Sequence, residues 1–536
     1  MNFRHKWFLS IVVSLFVLAC ASSAWAERGT TPQGIPGLGT VTFPTSAASD
    51  AARTEFIRGL LLLHLFEYPA AAKAFRDAES LDPGLAMAYW GEAMTYNHGI
   101  WNQLDETAGR EALAKLGPTP QARAAKAPTA REKAYLAAVE ILYSGVDTKP
   151  ERDARYCEAM RKLAAAWPQD SNAQLLYALA LMGRHEGVRD VPDYLQAAAI
   201  AERVFRSNPD NPGAAHYWIH GMDEPQHAAG ALEAARALAK VSPDAGHAQH
   251  MTSHIFMALG MWDDVISANV NAVRVVNMQR RASGKPDAAC GHYNEWLEYG
   301  YFQRGDASRG EKMLEECARS IPIDIAWAER HSAALATTRE SVAGISQGLR
   351  GSLLRMRAYA VVESRDWNGS AVKLPIDVAD LGPSAGWDDF VLGFAAAERG
   401  DLEHAAQASA RLHSWRTGTT SFPPDPQVPG YLAVMDDGLR GVILIRQGHA
   451  NEGLAAIRGA ADRYDAMAFD FGPPMPLKPP HELLGEELLV LGRAADAIPE
   501  FEAALKKAPK RRFAGDGLSR ARREAGEQAR EATPVD

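Results

Sequence analysis

His216 and His220, in the run HYWIH, and His250 and His254, in the run HMTSH, are two histidine pairs of identical internal spacing. Each member of the second pair follows its counterpart by 34 residues. Neutral imidazole is a ligand for zinc, copper, iron and nickel, and on an α-helix two positions four apart lie about 40° apart on one face. Asp223, three residues after His220, and His247, three before His250, extend the same two stripes. One helix therefore offers His-His-Asp and the other His-His-His. His292 stands at the position of His247 when the chain is counted back from Pro322 as from Pro243. The chemistry to expect is a transition-metal centre of zinc, copper or iron, with His216, His220, Asp223, His247, His250, His254 and His292 as its ligand set. These residues are too many for one tetrahedral ion, and would serve two ions or one ion with supporting histidines. The set contains no thiolate, so a Cys-type structural zinc is excluded. HYWIH also lacks the internal glutamate of the H-E-x-x-H proteases, and neither a Gly-rich phosphate loop nor a G-x-S-x-G elbow occurs.

What must position these residues is a repeated helical unit. Pro209 and Pro243 share the 34-residue offset of the histidines, so punctuation and chemistry repeat together, as in a stacked-repeat fold. The stretch RTEFIRGLLLLHLFEYPAAAKAFRDAESLDP reads as two helices around a turn. Gly59, Leu62, Ala71, Phe75, Ala78 and Pro83 match the tetratricopeptide repeat (TPR) in type and spacing, as do Gly485, Ala497, Phe501, Ala504 and Pro509 near the C-terminus. Small residues let paired helices approach, a phenylalanine fills the gap, and proline ends the second helix. His64 and His98 are also 34 apart, but single histidines at helix ends more often line a surface or pocket than bind metal.

Residues 50–525 resemble a group of exported bacterial TPR proteins through AMAYWGEAMTYNH, HYWIHGMDEPQHA, HAQHMTSHIFMALGMWDD, GHYNEWLEYGYFQRGD and KPPHELLGEELL, although members of that group tend to have proline where this chain has Thr252. The resemblance implies an all-α, TPR-like α-solenoid, a right-handed superhelix of helix pairs, and carries no activity. In such repeats the first helix of each pair lines the concave face. Counted in register, all the candidate histidines, His64 and His98 included, should face that groove. The expected organisation is a signal peptide at 1–26, an irregular lead-in at 27–50, repeats with the His-rich groove at 51–322, an irregular helical segment at 323–384, repeats and a capping helix at 385–525, and a tail at 526–536. No β-rich segment is expected.

The first 26 residues combine Arg4 and Lys6, an apolar run and Ala24-Trp25-Ala26, the pattern of a cleaved secretory signal. Cys20 offers a competing lipoprotein attachment site, against which Leu18 is poorly placed. The mature protein should be periplasmic or secreted, with no transmembrane helix. Loss of Cys20 leaves Cys157, Cys290 and Cys317; a Cys290–Cys317 bridge and three buried thiols both remain open. A net charge of −9 without a basic block argues against nucleic acid as partner.

Two functions follow. One is an exported metalloprotein, a metal-dependent hydrolase or oxidoreductase, with Tyr217, Trp218, Asp223, Glu224 and Tyr293 as neighbours of the metal. The other is a metal-free adaptor whose groove holds a peptide or protein partner in cell-envelope assembly.

Overall fold

The computed structural model describes residues 32–337, 340–417 and 426–531. The expected signal peptide, Cys20 and residues 532–536 of the tail lie outside the described residues. Two compact units build the chain. The first holds the described residues up to 187 together with 191–221 and 240–245; the second holds 188–190, 222–239 and the described residues from 246 onward. The chain leaves the first unit and returns to it near residue 240.

In the first unit, the helices Asp50–His64 and Tyr68–Leu81 form the first pair. Ser49 caps the first by accepting from the amide of Ala52. Phe75 is wholly buried between Gly59 and Gly91, and a Cβ at those glycines would stand 2.8 and 2.3 Å from its ring. The repeat consensus at Gly59 and Phe75 is thus a packing requirement. Within the lead-in, Gln33–Ile35 pairs antiparallel with Gly39–Val41, and further on a second hairpin joins Asn97–His98 to Gln103–Leu104. Such strands are too short to give a readable alternation. The first turns at Gly37, whose φ of +80° suits glycine, and Ile35, Val41 and Phe43 anchor it in the core.

The second unit continues in pairs: Gly246–Ala258 with Trp262–Ala282, His292–Gln303 with Ala307–Arg330, Ser384–Glu398 with Leu402–Thr417, Val428–Arg446 with Ala450–Asp465, and Pro480–Val490 with Ala494–Lys507. Pro322, taken as a helix stop, lies inside Ala307–Arg330. Proline costs that helix one backbone hydrogen bond without ending it. The segment 323–384, expected to be helical but irregular, contains the long helix Val342–Ser364. Gly485 packs against Phe501, a Cβ there standing 2.9 Å from the ring, as at Gly59 in the first unit. Arg511 is fully buried; its guanidinium donates to Glu363, Glu482 and the Tyr299 hydroxyl at 2.6–3.0 Å. The fold is all-α and TPR-like, with strand confined to the two hairpins among the described residues. No described helix is long and apolar enough to cross a membrane.

Candidate metal centre

The seven expected ligands are divided between the units. His216 and His220 belong to the first; Asp223, His247, His250, His254 and His292 belong to the second.

In the second unit the helix Gly246–Ala258 places His250 and His254 one turn apart, both buried. Asn269, from the partner helix Trp262–Ala282, fixes the tautomer of His250. Its Nδ2 donates to the carbonyl of Val265 at 2.9 Å, so its Oδ1 accepts from His250 Nδ1–H at 2.7 Å. His254 Nδ1–H donates to the carboxylate of Asp223, which is 2 % exposed. Both Nδ1 atoms being donors, both Nε2 atoms are acceptors, and these face each other at 3.1 Å. Two lone pairs at that distance repel unless a proton or a cation lies between them. Two nitrogens bound at about 2.0–2.1 Å to one tetrahedral ion stand about 3.3 Å apart. The Asp–His and Asn–His pairs also match the usual way in which a protein orients metal-bound imidazoles.

His292 is the first residue of the helix His292–Gln303 and is exposed. Ligand atoms of His250, His254 and His292 all lie within 4.8 Å of one another. Trp296, one turn along the same helix, packs its ring 4.4 Å from His254 and 4.7 Å from His250. Burial, reinforced by the neighbouring His292, His254 and His247, pushes the pKa of His250 well below its ordinary value. Loss of solvation lowers His292 to about 4; its ring is nevertheless open to solvent, so little of that shift counts toward stability. Neutral rings at pH 7 are the form that binds metal.

His247 is half-buried, and the Tyr293 hydroxyl lies 3.4 Å from its Nδ1. Glu224 pairs with His227 and, at 3.7 Å, with Arg189. Phe471, from the proline-rich connection 471–480, packs 5.0 Å from the His254 ring. The groove face at His254 is therefore partly covered by the chain itself. Beside it, Asp223, His254, Trp262, Tyr299 and Tyr464 line a cleft of about 690 Å³, its open mouth included.

In the first unit, His64 does not face an open groove. It is fully buried; its Nε2–H donates to Asn172 Oδ1, and the Tyr217 hydroxyl donates to its Nδ1, both at 3.0 Å. Asn172 is oriented by its own donation to the carbonyl of Thr42 at 2.7 Å. Burial lowers the pKa of His64 to about 4. His216 Nδ1–H donates to the His64 carbonyl at 2.7 Å, and the His220 ring lies 4.8 Å from that of His216. Tyr217 thus serves His64, and Trp218 packs on Phe205 and beneath Arg206. His98 lies in the second hairpin and at the N-terminal end of the short 3-10 helix Gly99–Trp101, stacked on Tyr68 at 3.8 Å. Asn269 and Asn172 escaped sequence reasoning. The available signal was an asparagine on the buried face of a helix, as in Val265, Asn269 and Ala272.

No protein-family model matches the chain, and no curated protein matches it. Its backbone is similar to solved helical structures. One is the Cut9–Hcn1 hetero-tetramer of the APC/C, with 10% identity, 89% of this chain and 78% of that chain covered and a TM-score of 0.33. Another is the human IFIT1 dimer with m7Gppp-AAAA, with 13% identity, 86% and 91% covered and a TM-score of 0.34. A third is yeast Tom70, with 12% identity, 90% and 97% covered and a TM-score of 0.31. Likeness of this degree says nothing about activity.

Proposed function

We propose that this is an exported TPR-like protein that binds a transition metal through His250, His254 and His292. The observation that carries the reading is the pair of acceptor nitrogens 3.1 Å apart, each ring held from behind by Asn269 or Asp223. Three imidazoles leave a fourth position, on the exposed side of His292, for water or substrate, as in metal-dependent hydrolases. The same position would serve an oxidoreductase if the ion were copper or iron. Export is supported by the Cys290–Cys317 disulfide, a bond favoured in oxidising compartments, and would be refuted by mature protein that begins at Met1. Metal analysis of the native protein, with melting in the presence and absence of chelator, tests the centre. One equivalent of metal and a chelator-induced fall in Tm are expected; metal-free protein whose melting ignores zinc, copper, iron and nickel would refute it.

The second reading is a metal-free adaptor. It is favoured by the cleft lined by Trp262, Tyr299 and Tyr464, where a peptide side chain could lodge. It takes precedence if the metal test fails and a peptide library selects binders that Tyr464→Ala loses.

A further inference from the structure

Cys290 and Cys317 form a disulfide, and Cys290 stands two residues before His292. The bond ties the N-terminus of the helix His292–Gln303 to its partner helix Ala307–Arg330. Gly291, between cysteine and histidine, has φ +111°, and its amide donates to Ser352 Oγ at 2.7 Å. Asn294 Nδ2 donates to the Cys290 carbonyl at 3.1 Å. His250 and His254 are held within their own helix pair and by Asp223, whereas His292 is exposed and set by the corner that the disulfide closes.

We propose that this disulfide is a redox-cleavable brace on the third histidine, so that reduction loosens the metal. The inference rests on the metal reading above. A dithiol reductant would transfer two electrons and two protons: the S–S bond breaks, Cys290 and Cys317 become thiols, and the reductant leaves as its own disulfide. Cys317 is wholly buried and Cys290 5 % exposed, so the exchange requires the corner to open and should be slow. Once cut, residues 290–292 keep the hydrogen bonds to Ser352 and Asn294 but lose their covalent tie. Loss of a group that orients a ligand costs about 10- to 100-fold in metal affinity; the surviving bonds set the expectation near the lower end.

The test is zinc titration of the full mature chain in four forms: oxidised, reduced with a phosphine that is then removed without air, the double variant Cys290→Ala/Cys317→Ala, and His292→Ala. Reduction and the double variant should each weaken zinc about 10-fold, and reoxidation should restore the reduced wild type. His292→Ala should bind weakly and equally in both redox states. Unchanged affinity on reduction, tighter binding through new thiolate ligands, or a redox effect persisting in His292→Ala would each overturn the brace. Should the double variant melt before titration, reversible reduction of the wild type and His292→Ala decide the matter. If oxidised wild type binds zinc no better than His250→Ala, the metal reading itself has failed.

Discussion

Two regions of this protein bury histidines and surround them in opposite ways, one around His64 and the other around His250 and His254. Around His64 the polar atoms close on one another: Tyr217, His64, Asn172 and the Thr42 carbonyl form one donor–acceptor chain, and His216 is tied to it through the backbone. Around His250 the chain of donors runs outward from the rings, to Asn269 and Asp223, and leaves two acceptors converging. Spacing places imidazoles on one face; on the metal reading, what the distal nitrogen meets separates His64, which cements a core, from His250 and His254, which would hold an ion.

The largest effect should come from breaking the converging pair. His250→Ala should abolish stoichiometric metal, seen by elemental analysis, and with it the chelator-sensitive part of the melting temperature. His64→Ala should leave metal content unchanged yet cost about 3 kcal/mol of stability in denaturant titration, through cavity formation and the stranded Asn172 and Tyr217. The closed chain also has a pH signature. His64 titrates near 6.5 unfolded and at about 4 folded, so below 6.5 the unfolded state binds the extra proton. Stability from this group is complete above pH 6.5 and is lost as pH falls toward 4, by up to about 3 kcal/mol. A His64→Gln protein should lack that component when its denaturation is compared at pH 7.5 and 5.

Asp223→Asn keeps every imidazole and removes only the charge behind His254. A 10- to 100-fold loss of metal affinity by calorimetry is expected; no loss would show that the carboxylate is merely structural, as Asn172 is beside His64. The smallest effect concerns Glu298, buried in the His292 helix with neither oxygen hydrogen-bonded to protein. Burial, with Glu295 nearby, raises its pKa well above the carboxylate range. Its folded form is protonated, so stability is complete below about pH 4.5 and declines as pH rises. Glu298→Gln should raise the melting temperature at pH 7, by the equivalent of about 1 kcal/mol.

The helical repeats were legible because their signals are local: Gly59 with Phe75 and Gly485 with Phe501 report contacts within one or two helices. The pairing of His250 with His254 was legible for the same reason. Asn269 and Asn172 were not, since each reaches its histidine from another helix and nothing in the spacing selects it. Asp223 was read as an ion ligand from its register with His220, whereas its carboxylate accepts from His254, 31 residues on. Pro322 misled because a proline's meaning depends on whether the following turn is supported by packing. The hairpins were hidden by their brevity.

Arg511 has a bearing on how the protein is made. Its partners Tyr299, Glu363 and Glu482 all precede it in the chain and are buried with it. A ribosome delivers residues in order, so until position 511 has emerged Glu363 waits without its cation in what will become the interior, whereas Glu482 already has Lys478 four residues before it. The helix Val342–Ser364, which carries Glu363, should therefore stay open to protease until Arg511 is delivered. Translation stalled before Arg511 should yield chains cut by protease within 342–364, and release of a few more residues should protect them.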